Sequence, residues 1–164
     1  AENLRTQLDG EIERRRHADD PANCELYGGL YTWSDATRIC PDGWVLPNDS
    51  DWLEAEVFLG MDEEESDSLG WRESGHVGDK LKVADLCSLP GGPDCGTSGF
   101  DAVLAGYRNI EGNYFGPDSF AYFWSSTESG PNAWARHIRV NDSWSYRATY
   151  DKEWSLSVRC VRDR

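Results

Sequence analysis

The chain has 164 residues, enough for a single domain spanning 1–164 that buries roughly 68–70% of its unfolded surface without a metal. Its 30 acidic against 16 basic residues leave a net charge of −14, which argues against nucleic acid and anionic membrane surfaces as partners. No apolar run is long enough for a membrane span or a signal peptide, and the start at Ala1 is read as the mark of a processed or trimmed product.

Residues 1–26 are polar and charged, with Arg14, Arg15, Arg16 and His17 followed by Asp19, Asp20 and Pro21, and predict an irregular lead-in. Residues 28–31 suggest a short strand. Thr32 is placed to cap a first helix, with Asp35 as its capping-box partner and Trp33, Ala36 and Ile39 on one face. Pro41, Asp42 and Gly43 end it, and residues 44–47 read as a brief extended piece. Asn48 is a good N-cap for a second helix, with Asp49, Asp51 and Glu54 near its N-terminus. Trp52, Leu53, Ala55, Val57 and Leu59 are expected to form its apolar face, and Gly60 its stop.

From residue 61 to 98 no regular period appears, although residues 70–72 and 81–83 suggest short packed pieces. Phe100, Val103 and Tyr107 predict a strand, residues 114–122 a loop, and Phe123 with Trp124 the start of another strand. Trp134, Arg136, Ile138 and Val140 alternate with Ala135, His137 and Arg139. Asn141, Asp142 and Ser143 read as a turn. Residues 144–148 return as a strand, and Leu156, Val158 and Cys160 suggest the last one. Helices followed by a mostly antiparallel sheet give the class α+β.

The acid is concentrated at residues 49–56 and 61–67, which reads as a solvated helix face and an acidic loop. Calcium at Asp62, Glu63, Glu64 and Glu65 is the sharper alternative, but the run lacks the glycine-punctuated alternation of a calcium loop. No metal ligand and no cofactor is assigned. The five cysteines form no C-x-x-C pair, which disfavours structural zinc. Cys87 and Cys95 flank a Pro90-Gly91-Gly92-Pro93 turn that a disulfide would close. Cys40 and Cys160 would tie the first helix to the last strand, leaving Cys24 over. Two disulfides imply an extracellular, cell-surface or virion-surface setting; five reduced thiols are the alternative.

Residues 123–164 carry the functional signal. Core-like segments frame a middle of aromatic, basic and small polar residues, as in a binding surface held on a rigid scaffold. With Trp134, Ile138 and Val140 facing the core, Ala135, His137 and Arg139 face outward. The next strand presents Trp144, Tyr146 and Ala148, and the following loop adds Thr149, Tyr150, Asp151, Glu153 and Trp154. Tyr, Trp and Arg give large contact area at low entropic cost. The competing reading makes Trp144 and Trp154 core residues of an aromatic-rich fold.

Several blocks occur in order: YGGLYTW at 27–33, CPDGWVLP at 40–47 with Trp52, SGF at 98–100 with GYR at 106–108, FWSSTE at 123–128 and SVRCV at 157–161. Together with AENLR at 1–5, they resemble the Fibrobacter succinogenes major paralogous domain over nearly the whole chain. That family is similar to the C-type lectin fold of formylglycine-generating enzymes. The resemblance implies two helices flanking a compact antiparallel sheet, chain ends close together, and Cys40 paired with Cys160. Members often carry a second Cys eight positions before Cys24; Arg16 stands there, which implies an unpaired Cys24.

The same fold serves the variable proteins of diversity-generating retroelements, whose diversified residues lie near the C-terminus, where residues 134–157 fall here. Mutagenesis at the adenines of an Asn codon ending in cytosine reaches Ala135, His137, Arg139, Tyr146, Ala148, Thr149 and Tyr150, but not Trp144, Glu153 or Trp154. The resemblance therefore implies a receptor- or adhesin-like domain that binds a protein or glycan on another cell or surface. A carbohydrate-binding module, either calcium-dependent or stacking its sugar on Trp or Tyr without metal, is the rival. Pro131-Asn132 and Asn141-Asp142 are similar to lectin motifs, but Gly130 stands for the acid and Val140 for the Trp. A cysteine-dependent oxidase would use Cys87 and Cys95, whose acidic neighbours Asp85 and Asp94 disfavour a thiolate. His17, His76 and His137 are scattered, and no enzyme activity is expected. A purely structural module of a larger surface protein is the remaining reading.

Overall fold

A computed structural model describes residues 21–88 and 92–163. The N-terminal block 1–5, the basic run 14–17 and the Pro90-Gly91 half of the predicted turn lie outside them. Helix α1, Pro21–Tyr27, replaces the last part of the expected irregular lead-in. Helix α2, Trp33–Ala36, is one turn long and capped by the Thr32 side chain accepting from the Asp35 N–H. Strand β1, Trp44–Val45, precedes helix α3, Asp49–Phe58. Asn48 and Asp51 form the full reciprocal capping box of α3. Then come α4 (Glu63–Ser66), β2 (Gly70–Arg72) and α5 (Val77–Leu81). Six strands complete the chain: β3 (Tyr107–Arg108), β4 (Tyr114–Phe115), β5 (Phe120–Ser129), β6 (Asn132–Arg139), β7 (Ser145–Asp151) and β8 (Val161–Arg162).

The central sheet is antiparallel in the order β2-β7-β6-β5, with β1-β8 and β3-β4 as small two-stranded companions. The class is α+β. Three local expectations change. Phe100 and Val103 lie in irregular backbone, and only Tyr107 of that trio enters a strand. Residues 114–122 contain β4 and the start of β5 instead of one loop. The expected last strand over 156–160 is a set of isolated bridges, Leu156 to Tyr31 and Ser157 to Phe123, with regular pairing confined to β8.

Both faces of the central sheet are covered. One packs Trp124, Ala133 and Ala135 against Tyr31, Ala36, Ile39, Leu46, Leu156 and Val158. The other packs Ala121, Phe123 and Ile138 against Trp52, Met61, Val77, Leu81, Ala102 and Leu104. In consequence residues 135–138 are all buried, and alternation there does not separate core from solvent.

Helix α3 departs furthest from its expected pattern. Ala55 is exposed, and the buried residues of the helix are Asp49, Trp52 and Glu56. The acidic run 49–56 is therefore only partly a solvated face. Glu56 is fully buried and accepts hydrogen bonds from Arg72 Nη1 at 2.7 Å, Arg136 Nε at 3.0 Å and Ser145 Oγ at 2.8 Å. Asp49 accepts from Arg136 Nη1 at 2.7 Å and Arg147 Nη2 at 2.6 Å. Burial raises the Asp49 carboxyl, but the Arg147 hydrogen bond and the Arg136 charge overcome it and hold it below the usual carboxylate range. The network clamps α3 to β2, β6 and β7.

Cys40 is bonded to Cys160 and Cys87 to Cys95, while Cys24 is a free, buried thiol. The first bridge fastens the stretch after α2 to the chain just before β8.

Candidate ligand-binding face

Four rings stand in one register row across the sheet. Tyr122 of β5 is opposite His137 of β6, His137 is opposite Tyr146 of β7, and Tyr146 is opposite Trp71 of β2. The rings touch: His137 stacks on Tyr122, and its ring centroid lies 5.0 Å from Trp71 and 5.6 Å from Tyr146. Trp71 meets Tyr146 edge-on at 4.8 Å. At the top of the row the Arg139 guanidinium lies 4.0 Å from the Trp71 centroid and 5.8 Å from that of Trp144. The Asp142 carboxylate, in the turn between β6 and β7, pairs with Arg139. At the other end Tyr150 and Trp154 lie 5.3 Å apart, and Trp154 stacks on Tyr107 at 4.8 Å. Phe115 continues this stack on the far side of Tyr107 and is 43% exposed.

Of the residues expected to bind, His137, Arg139, Trp144, Tyr146, Ala148, Tyr150 and Trp154 fall along this face. Ala148 lies between Tyr146 and Tyr150 on β7 and opposite Ala135. Ala135 itself is fully buried, which corrects its outward orientation: the segment carrying Tyr31, Ala36 and Ile39 covers that end of β6. His137 is likewise 7% exposed, roofed by its aromatic neighbours. Trp134, expected inside, is partly exposed on the opposite face, with the Arg147 guanidinium 4.0 Å from its centroid. Thr149 is opposite Trp134 in register, and its hydroxyl is 3.4 Å from Asn132 Nδ2, so it points away from the aromatic row. Asp151, the last residue of β7, and Glu153, in the turn after it, are exposed.

The residues missed were Trp71, Tyr107, Phe115 and Tyr122. Residues 70–72 were visible as a packed piece, but nothing local reveals that they pair with a strand more than 70 positions later.

The electrostatics of the row are set by burial. Burial and then the Arg139 charge push His137 down to about 3, so the imidazole is neutral at ordinary pH. Its Nε2 is buried and has no hydrogen-bond partner among the described residues. Burial raises the phenols of Tyr122 and Tyr150 well above their ordinary value, so both stay protonated and able to donate. Among the described residues no cluster of three or more His, Cys, Asp or Glu side chains is arranged to hold a metal. In the acidic run 62–65, Asp62 caps α4 and Glu65 accepts from the Glu73 and Ser74 N–H groups.

The arrangement is that of an α+β, disulfide-bonded domain with a cross-strand aromatic cluster, buried at Tyr122 and His137 and partly exposed at Trp71, Tyr146 and Tyr150. The chain matches the Fibrobacter succinogenes major domain over residues 2–162 and belongs to that family. Comparison with curated proteins and with solved structures returns no significant match. Two disulfides place the chain in an oxidising, non-cytoplasmic setting. Among the described residues no helix is long and apolar enough to cross a membrane.

Proposed function

We propose that this domain is a receptor- or adhesin-like binding module, of C-type lectin-like architecture, that offers its aromatic face to a protein or glycan on another cell or surface. The observation that carries this reading is the partly exposed set Trp71, Tyr146, Ala148 and Tyr150, backed from within the same row by the buried rings of Tyr122 and His137. Aromatic side chains on a rigid sheet supply contact area with little ordering cost, and small Ala148 leaves a step between two tyrosines. The two disulfides support a surface setting, since such bonds persist in secreted and surface domains. Five of the face residues, His137, Arg139, Tyr146, Ala148 and Tyr150, are reachable from one adenine-containing codon, which supports diversification by a retroelement.

The test is a screen of immobilised surface proteins and glycans with the wild-type domain and with Tyr146→Ala/Tyr150→Ala. A ligand held by the wild type and lost by the double variant, whose melting temperature stays within a few degrees, supports the reading. Equal binding by both refutes it. For diversification, a near-copy of the segment encoding residues 134–160, differing at adenines and lying beside a reverse transcriptase gene, is the expected finding.

A further inference from the structure

The eight tryptophans sort by what lies over their rings. A guanidinium or ammonium group of the chain itself sits 4.0–5.9 Å from the ring centroids of Trp33, Trp44, Trp52, Trp71, Trp134 and Trp144. Trp124 is fully buried, its indole N–H donating to the Tyr31 carbonyl at 2.8 Å. Among the described residues, Trp154 is the one partly exposed tryptophan without a cation over it. Pairing a cation with an indole recurs across this molecule, and Trp154, stacked on Tyr107 on one side and beside Tyr150, has no cation of the described residues over its ring.

The surroundings of Trp154 have the charge that a cation from outside would need. Asp151, which ends β7, and Glu153, in the turn carrying Trp154, are both exposed and closely precede it in the chain. That turn is held by the Glu153 N–H donating to Asp151 Oδ1 at 2.9 Å and the Trp154 N–H donating to the Asp151 carbonyl at 3.0 Å. Lys152, between the two acids, does not neutralise them. Its Nζ donates to Glu128 Oε2 at 2.9 Å and to the Gly130 carbonyl at 3.1 Å, and lies 4.6 Å from the Trp33 centroid. The chain as a whole, at −14, draws cations toward it.

Resting on the binding-face reading above, we infer that the partner is a protein presenting an arginine or lysine side chain, which seats its cationic group against Trp154 and Tyr150 with Asp151 and Glu153 as counter-charge. A neutral glycan would use the rings and leave both carboxylates idle.

The experiment follows the tryptophan indole N–H resonances of 15N-labelled protein, with Trp154 assigned through Trp154→Phe. The probes are N-acetylarginine amide, its neutral isostere N-acetylcitrulline amide, and methyl α-glucoside. The Trp154 resonance is expected to move with the arginine amide alone. The affinity is expected to fall about threefold or more in Asp151→Asn/Glu153→Gln, a variant of exposed side chains that leaves packing intact. Equal movement with the citrulline amide or the glucoside, or unchanged affinity in that variant, overturns the inference. The two readings fail separately. A ligand lost by Tyr146→Ala/Tyr150→Ala but held at full strength by Asp151→Asn/Glu153→Gln sinks the cation and keeps the face. A ligand indifferent to the tyrosines sinks the face itself.

Discussion

His137 stacks on Tyr122 with ring centroids 4.1 Å apart and planes 16° from parallel. A charged imidazolium has no place there, since the ring is buried, close to Arg139, and without a hydrogen-bond partner at Nε2 among the described residues. The folded chain refuses a proton down to about pH 3, whereas the unfolded chain takes one up near the ordinary value of 6.5. The contribution of His137 to stability is therefore whole above 6.5 and is lost as pH falls below it. The loss approaches about 1.4 kcal/mol per pH unit once the unfolded imidazole is protonated. The window between about pH 6 and pH 5 separates this loss from that of carboxylates such as Asp49, which are held low by their partners and lose their stabilisation further down. Denaturant unfolding across that window should show the slope in the wild type and a flatter line in His137→Phe. The same variant should gain about 1 kcal/mol at neutral pH by removing an unsatisfied buried nitrogen.

Glu56→Ala should cost about 3–5 kcal/mol, because it strands the buried guanidinium groups of Arg72 and Arg136. Urea unfolding measures the loss. A cost below about 1 kcal/mol would show that solvent reaches the network.

The two disulfides should differ in weight. Cys40→Ser/Cys160→Ser opens a link between residues 120 positions apart and should cost about 4–5 kcal/mol. Cys87→Ser/Cys95→Ser releases a separation of only 8 and should cost about 2.5 kcal/mol. Alkylation of the denatured, unreduced chain followed by mass spectrometry should label Cys24 alone.

Gly78→Ala tests how the β6–β7 turn is seated. A Cβ at Gly78 would stand 2.2 Å from the Trp144 carbonyl oxygen and 2.8 Å from the Ser143 carbonyl carbon. The Gly78 N–H donates to the Ser143 carbonyl at 2.8 Å. The variant should lose about 1–3 kcal/mol and displace Trp144, read as a change in tryptophan fluorescence. Unaltered fluorescence with wild-type stability would show that the turn yields freely.

Local signals were legible where the physics is local. Asn48 and Thr32 cap helices through neighbours three positions away, and no distant residue is needed to form those bonds. Alternation across residues 134–140 was also visible, but its meaning was not. A half-exposed strand has one wet face, whereas β6 lies between two packed layers and buries Ala135, Arg136, His137 and Ile138 alike. Glu56 read as part of an acidic, solvated run because its partners stand 16, 80 and 89 positions away in Arg72, Arg136 and Ser145.

By itself the sequence determined the α+β class, the family membership, the helix caps and the segment richest in aromatic and basic side chains. Each of these depends on residue type and short spacing. Only the tertiary structure decided which of those residues share a surface. Strand pairing brought Trp71 and Tyr122 beside His137 and Tyr146, buried Ala135 and turned Thr149 to the other side. Register and the covering of each face arise from contacts between distant segments, and a pattern within one strand does not encode what its neighbours place against it.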